Sequence, residues 1–261
     1  DNYQAVIAMP EEGQIIYAKN SSTVKNSELK GQSVKDFLAA VEAAKANERK
    51  TIKSTDIVAY ASPEGPEKFN NELSDSRSNS AQKAFNKVTK KAPIDAPVNV
   101  KSVGEDWEGF QALVANSNLE DKDLILRVLS MYSDPAVREQ EIRNMSAVYT
   151  TLAKDVLPGL RRARFIANVE FTNYSSEELL KLVDENIDVL DEEALLRAAT
   201  LVKCENKAAI YKKAIEKYSS ARAQYNLAVV YAKGGKDAEA KAEVAKCDAN
   251  DADVKNLLGV L

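Results

Sequence analysis

A chain of 261 residues, 44% of them hydrophobic and 29% charged, has the balance of a soluble globular protein and the length for one large domain or two ordinary ones. Its net charge of -4, with both signs interspersed, argues against a nucleic-acid partner, which calls for a basic face. With no histidine, two cysteines and nine scattered glycines, it lacks the means for a Ser-His-Asp triad, a His-ligated metal, a Cys-only metal cage or a Gly-rich phosphate loop, and so predicts a non-enzymatic protein without a cofactor or metal.

The chain opens on Asp1 with neither Met nor a signal peptide, which reads as a processed start. Short apolar runs with β-branched content at 4–9, 14–18, 57–61 and 98–103 predict strands. Residues 164–171 (RFIANVEF) alternate, with Phe165, Ala167, Val169 and Phe171 on one side, and predict a half-buried strand. Helical spacing marks 31–46, 66–90, 107–115 and 121–132. A further helix opens after Ser133, with Asp134 as N-cap and Pro135 in the first position, and ends at Pro158-Gly159. Strands alternating with helices suggest βαβ-type connections in an α+β domain with a mixed sheet over residues 1–172.

After Asn173 every segment is helical. Ser175-Ser-Glu-Glu178 reads as a capping box, and short helices follow at 176–188, 191–202, 206–218, 221–233, 236–247 and 251–260. Leu227, Ala228 and Tyr231 sit one turn apart, Gly234-Gly235 ends that helix, and Ala240, Val244 and Cys247 follow at i, i+4 and i+7. This order of large and small positions resembles the tetratricopeptide repeat over about one and a half units of ~34 residues. Residues 173–261 are therefore expected to form an all-α domain of helical hairpins whose exposed face holds an unnamed protein partner. Cys247 falls at a small repeat position, where a packed thiol is the simple expectation; a bridge to Cys204 is the alternative.

One stretch carries a second resemblance. VAYASPEGPEKFNNELSDSR (58–77) runs a strand into a Ser-Pro-Glu-Gly turn and then a helix that stacks Asn70, Ser74 and Arg77 on one face. With IIYAKNSSTVKNSEL (15–29), VKSVGED (100–106) and LRRARFIANVEF (160–171), it is similar, in order, to the C-terminal domain of OmpA-like proteins. The likeness covers most of residues 10–171 and departs from the family in a helical insertion at about 107–158, for which packing against the sheet is expected and a docking surface for the helical tail or another protein is the alternative.

That family binds peptidoglycan in the periplasm of Gram-negative bacteria, gripping the diaminopimelate of the stem peptide. The resemblance implies that Arg77 holds the ligand's carboxylate, that Asn70 and Ser74 neighbour it, and that Arg161 or Arg162 flanks the site. The Asp that would hold the ammonium is replaced by Ser62, which leaves Glu64 as the substitute anion. Two readings follow. The chain is a periplasmic, outer-membrane-associated anchor that binds peptidoglycan and a second envelope protein, or an envelope or surface-assembly scaffold whose OmpA-like site has lost its ligand.

Overall fold

The computed structural model describes the backbone of residues 1–261 and the side chains of all but 146 and 147. In chain order the elements are β1 (Val6–Ala8), β2 (Glu11–Ile16), α1 (Asn26–Leu29), α2 (Gln32–Lys45), β3 (Lys50–Ala61), α3 (Glu67–Thr89), β4 (Val98–Glu105), α4 (Trp107–Ala115), α5 (Lys122–Met131), α6 (Pro135–Asn144), α7 (Ser146–Asp155) and β5 (Arg162–Thr172). Six helices follow: α8 (Ser176–Glu185), α9 (Glu192–Leu201), α10 (Cys204–Tyr218), α11 (Ala221–Lys233), α12 (Asp237–Val244) and α13 (Ala252–Val260). The chain forms two compact units, one of residues Ala8–Phe171 and one of Asp1–Ile7 with Thr172–Leu261.

The α/β unit is built on a mixed sheet in which β2, β5, β3 and β4 lie side by side. β5 runs antiparallel to both β2 and β3, while β3 and β4 are parallel and joined through α3 as a βαβ crossover. The alternation in β5 places Ala163, Phe165, Ala167 and Val169 in the core, beside Ile15, Ile57 and Ala59 from its neighbours. Phe37 of α2 and Phe85 of α3 both reach Phe165, with ring centroids 6.0 and 5.4 Å away, so both helices cover the same face of the sheet. A Cβ on Gly13 would lie 2.6 Å from the Cβ of Phe37, so the close approach of α2 to β2 needs a glycine there.

Two elements differ from the sequence expectation. β3 begins at Lys50, seven residues before its apolar run at Ile57, because pairing with β5 carries the polar stretch into the sheet. There Asn168 Nδ2 donates to Ser54 Oγ and Asp56 Oδ2, both at 2.9 Å, so the extension is held by polar contacts that hydrophobic patterning does not register. The expected helix from Asp134 to Pro158 is broken at Met145 into α6 and α7. The break lets Ile142 of α6 and Leu152 of α7 enter one small core with Phe110, Val114, Ile125, Leu129 and Leu160. The insertion thus packs chiefly upon itself, where packing against the sheet was the expectation.

In the helical unit the capping box at Ser175 and Glu178 is formed in both directions. Leu179, Leu190, Leu195, Ile210, Ala214, Ala223 and Leu227 make a continuous core across α8 to α11. Residues Asp1–Ile7 belong here rather than with the sheet domain, for a local reason. Asn173 N donates to Ala5 O at 2.8 Å, Tyr3 Oη to Tyr174 O at 2.7 Å, and Asn2 N to Glu193 Oε2 at 2.7 Å. Ala228 and Ala240 are both wholly buried, and their size allows α11 and α12 to pack closely. Gly235, at φ 69°, makes the turn between those helices. Cys204 is exposed, Cys247 half-buried, and both are free thiols.

Candidate functional site

The Ser62–Gly65 turn connects β3 to α3. Gly65 adopts φ 109°, a conformation that side chains rarely take, and Pro66 supplies the extended residue before the helix. Ser62 and Glu64 fold back on each other: Ser62 Oγ donates to Glu64 Oε1 at 2.8 Å, and only 8% of Glu64 is exposed. Arg161 Nε donates to the same Oε1 at 2.9 Å. The other oxygen, Oε2, is buried without a hydrogen-bond donor, although the Lys19 ammonium lies 3.3 Å away as an ion pair outside hydrogen-bonding geometry. Burial works against ionisation of Glu64, but the bonds from Arg161 and Ser62 and the charges of Arg161 and Lys19 outweigh it, and its pKa is lowered.

Arg77 is fully buried. Its Nε donates to Ser21 O at 2.9 Å, Nη1 to Tyr60 O at 2.9 Å and Nη2 to Ala18 O at 3.2 Å. Its guanidinium lies 5.0 Å from the centroid of the Tyr17 ring, and Tyr17 Oη returns a bond to Arg77 O at 3.1 Å. Burial, with the nearby Arg161 charge, pushes the pKa of Arg77 down to about 10, which still leaves it charged at neutral pH. One side chain thus ties residues 18–21 to the end of β3. The geometry is that of a structural bolt, with the planar fork committed to three main-chain acceptors.

Asn70 and Ser74 also serve the scaffold. Asn70 Nδ2 donates to Glu105 Oε1 at 2.8 Å, and Trp107 Nε1 donates to the other Glu105 oxygen at 2.8 Å. Burial first, then the charges of Glu139 and Glu67, raise the Glu105 pKa against these two bonds. Ser74 Oγ accepts from Gly104 N at 3.0 Å and donates to Asn71 O at 2.8 Å, fixing the end of β4 to α3. The two adjacent arginines, one in the turn just before β5 and one at its first position, take different partners. Arg161 joins Glu64, whereas Arg162 pairs with Asp106 at 2.8 Å, beside the Tyr60 ring. The structure therefore brings Ser62, Glu64 and Arg161 into direct contact and gives Arg77, Asn70, Ser74 and Arg162 partners of their own.

Two participants escaped the sequence reading. Lys19 comes from the loop after β2. Glu139 comes from α6, in the insertion, and its Oε1 accepts from Gly65 N at 2.5 Å while also bonding Arg143 Nε at 3.0 Å. No pattern marks either residue, since each is an ordinary charge in a polar stretch and only the fold brings them to the turn. Beside Pro63, side chains of the insertion (Trp107, Phe110, Ile142 and Leu152 among them) leave a cavity of only about 10 Å³. Roomier clefts lie elsewhere: one of about 410 Å³ over Glu12, Tyr60, Asp106 and Arg164, and one of about 530 Å³ between α10 and α11.

No helix of the described residues is long and apolar enough to cross a membrane. No protein-family model matches the chain, and no curated protein matches it.

Proposed function

We propose that this chain is a non-enzymatic scaffold of the cell envelope, with an OmpA-like unit whose ligand turn is filled from within and a tetratricopeptide-like unit that holds a partner protein. The envelope setting, periplasmic and outer-membrane-associated, rests on the sequence resemblance. The single observation that favours loss of the ligand is the commitment of Arg77, fully buried and spent on three main-chain carbonyls. A carboxylate-gripping arginine needs a free fork at a surface.

The rest of the turn supports the same reading. Diaminopimelate would present an ammonium and a carboxylate. Here Lys19 brings an ammonium to Glu64, and Glu139 brings a carboxylate to the Gly65 amide. The chain supplies both groups itself. Co-sedimentation with peptidoglycan sacculi tests this: the purified chain is expected to stay in the supernatant. Sedimentation that is abolished by Glu64→Gln, with the fold retained, would overturn it.

A second reading, that of a peptidoglycan anchor, is favoured by one specific feature. Glu64 Oε2 is buried and lacks a hydrogen-bond donor, while the Lys19 side chain beside it is 59% exposed. A ligand ammonium that displaced Lys19 would supply the missing bond. In that reading Lys19→Ala strengthens sedimentation with sacculi, the opposite of what a simple loss of a binding residue would do.

A further inference from the structure

The two edges of the mixed sheet are finished differently. On the β2 side the outward amides are taken up within the chain: Gln14 N donates to Ser33 Oγ and Ile16 N to Glu28 Oε2, both at 2.9 Å, and Pro10 stands just before the strand. At the opposite edge β4 has β3 as its neighbour on one side and, among the described residues, no strand on the other. Thr55 N donates to Pro97 O at 2.8 Å, and in a parallel ladder that phase sends the main-chain groups of Asn99 and Lys101 to β3. Those of Val98, Val100 and Ser102 then face outward, and among the described residues no hydrogen bond reaches their amides. Val98 and Val100 are 39% and 37% exposed, Asn99 and Lys101 are exposed beside them, and no proline interrupts β4. An open edge with apolar side chains is a template for a further strand.

We infer that β4 pairs antiparallel with β4 of a second copy of this chain, about a two-fold axis at Val100, so that two sheets become one. The choice of a second copy follows from the strand's own side chains, which complement themselves about that axis. Ser102, whose hydroxyl donates to Asp75 of α3, shares the helix-covered face with Val98 and Val100. There Val100 meets Val100 of the second copy, and Val98 meets Ser102 and exchanges main-chain bonds with it. Asn99, Lys101 and Val103 lie on the other face, around a cleft that also holds Asp56 and Val58. On that face Val103 meets Pro97, and Lys101 meets Asn99. Asp56 Oδ1 accepts from Asn99 Nδ2 at 2.8 Å, so each incoming ammonium arrives beside a carboxylate of the other copy. Neighbouring registers fit worse. An axis at Lys101 sets two ammoniums directly opposite each other, which is destabilising. An axis at Asn99 puts Ser102 opposite Ala96, outside β4, and takes Lys101 away from Asp56. A single strand joint is far smaller than a permanent dimer interface, so the pairing is weak and depends on concentration. It concerns the α/β unit alone and stands apart from the choice between scaffold and anchor.

The test uses the whole chain in sedimentation velocity over a concentration series, with amide hydrogen exchange read by NMR on the same samples. A reversible monomer–dimer equilibrium is expected, and the Val98, Val100 and Ser102 amides should gain protection as the dimer fills. Val100→Glu sets two carboxylates at the axis and should raise the dimer dissociation constant about tenfold or more. Val100 lies at the surface, so circular dichroism should show the fold unchanged. Register is read by cross-linking. Chains carrying Asn99→Cys or Lys101→Cys, each with Cys204→Ser, should form a disulfide dimer much faster when mixed than when kept apart. A chain that stays monomeric at every concentration overturns the inference and leaves the edge to a strand of some other protein. A dimer that survives Val100→Glu, with the three amides still unprotected, places the contact elsewhere and also overturns it. Cross-linking that is fastest in Asn99→Cys alone overturns the Val100 axis.

Discussion

The Ser62–Gly65 turn and the α10–α11 cleft both gather polar and charged side chains, yet they handle charge in opposite ways. At the turn Arg77 is spent on carbonyls, Glu64 on Arg161 and Ser62, and the Gly65 amide on Glu139. At the cleft three lysines and an asparagine amide converge on open volume, and among the described residues no ion pair or hydrogen bond occupies them. Perturbed charges mark functional sites only probabilistically, because structural ion networks perturb them too. What separates the cases is where the hydrogen-bonding capacity goes. Capacity that is buried and consumed belongs to the fold, and capacity left at a concavity is available to a partner.

The sharpest way to break this comparison is Arg77. If it is a structural bolt, Arg77→Ala takes the donor from the buried Tyr60 carbonyl, removes a bond from the part-buried Ser21 and Ala18 carbonyls, and cuts the tie between residues 18–21 and β3. Each stranded group costs about 1–3 kcal/mol, so a loss of about 3–5 kcal/mol is expected in urea unfolding followed by circular dichroism. Arg77→Lys should recover little, because one ammonium cannot span three acceptors. A ligand-binding Arg77 would behave otherwise, with stability nearly unchanged and only binding lost.

Glu64 gives the next largest effect and carries a pH signature. Its folded pKa lies below the ordinary carboxylate value, so its ionised form contributes stability above the unfolded pKa of ~4.3. That contribution is lost as pH falls from about 5 through the lowered folded value. Glu64→Gln should therefore cost about 2 kcal/mol at neutral pH, where charge-assisted bonds to Arg161 are replaced, and progressively less in acid. Urea midpoints measured down the pH scale should converge for the two proteins. Parallel curves would show that Glu64 makes no such buried pair.

Much of this architecture was legible beforehand, and the gaps have physical causes. The strict alternation of RFIANVEF and the capping box at Ser175 are local signals, and both elements formed where they were read. The N-terminal half of β3 carries Lys50, Lys53, Ser54 and Asp56, so its strand character comes from pairing with β5 and not from its own pattern. The break at Met145 depends on two helices sharing one core, a tertiary demand that a helical period cannot encode. The Ser62–Glu64 pair was within reach because the two residues are neighbours. Glu139 was not, since 74 positions separate it from Gly65.

Glu139 yields the smallest expected effect and the most pointed one. Its carboxylate sits on the Gly65 amide and is also held by Arg143, whose partly exposed guanidinium limits what that second contact contributes. Glu139→Ala should cost about 1–2 kcal/mol of stability, the scale of one charge-assisted main-chain bond. Its local consequences should exceed that figure. The Gly65 amide would exchange faster with deuterated solvent, and fluorescence from the sole tryptophan, Trp107, would shift, because Trp107 bonds Glu105 close to the Glu139 charge. Glu139→Gln keeps an acceptor oxygen and should restore most of the protection without the charge. If neither amide exchange nor fluorescence responds to Glu139→Ala, α6 does not close the turn, and a site filled from within would have to rest on Arg77 and Lys19 alone.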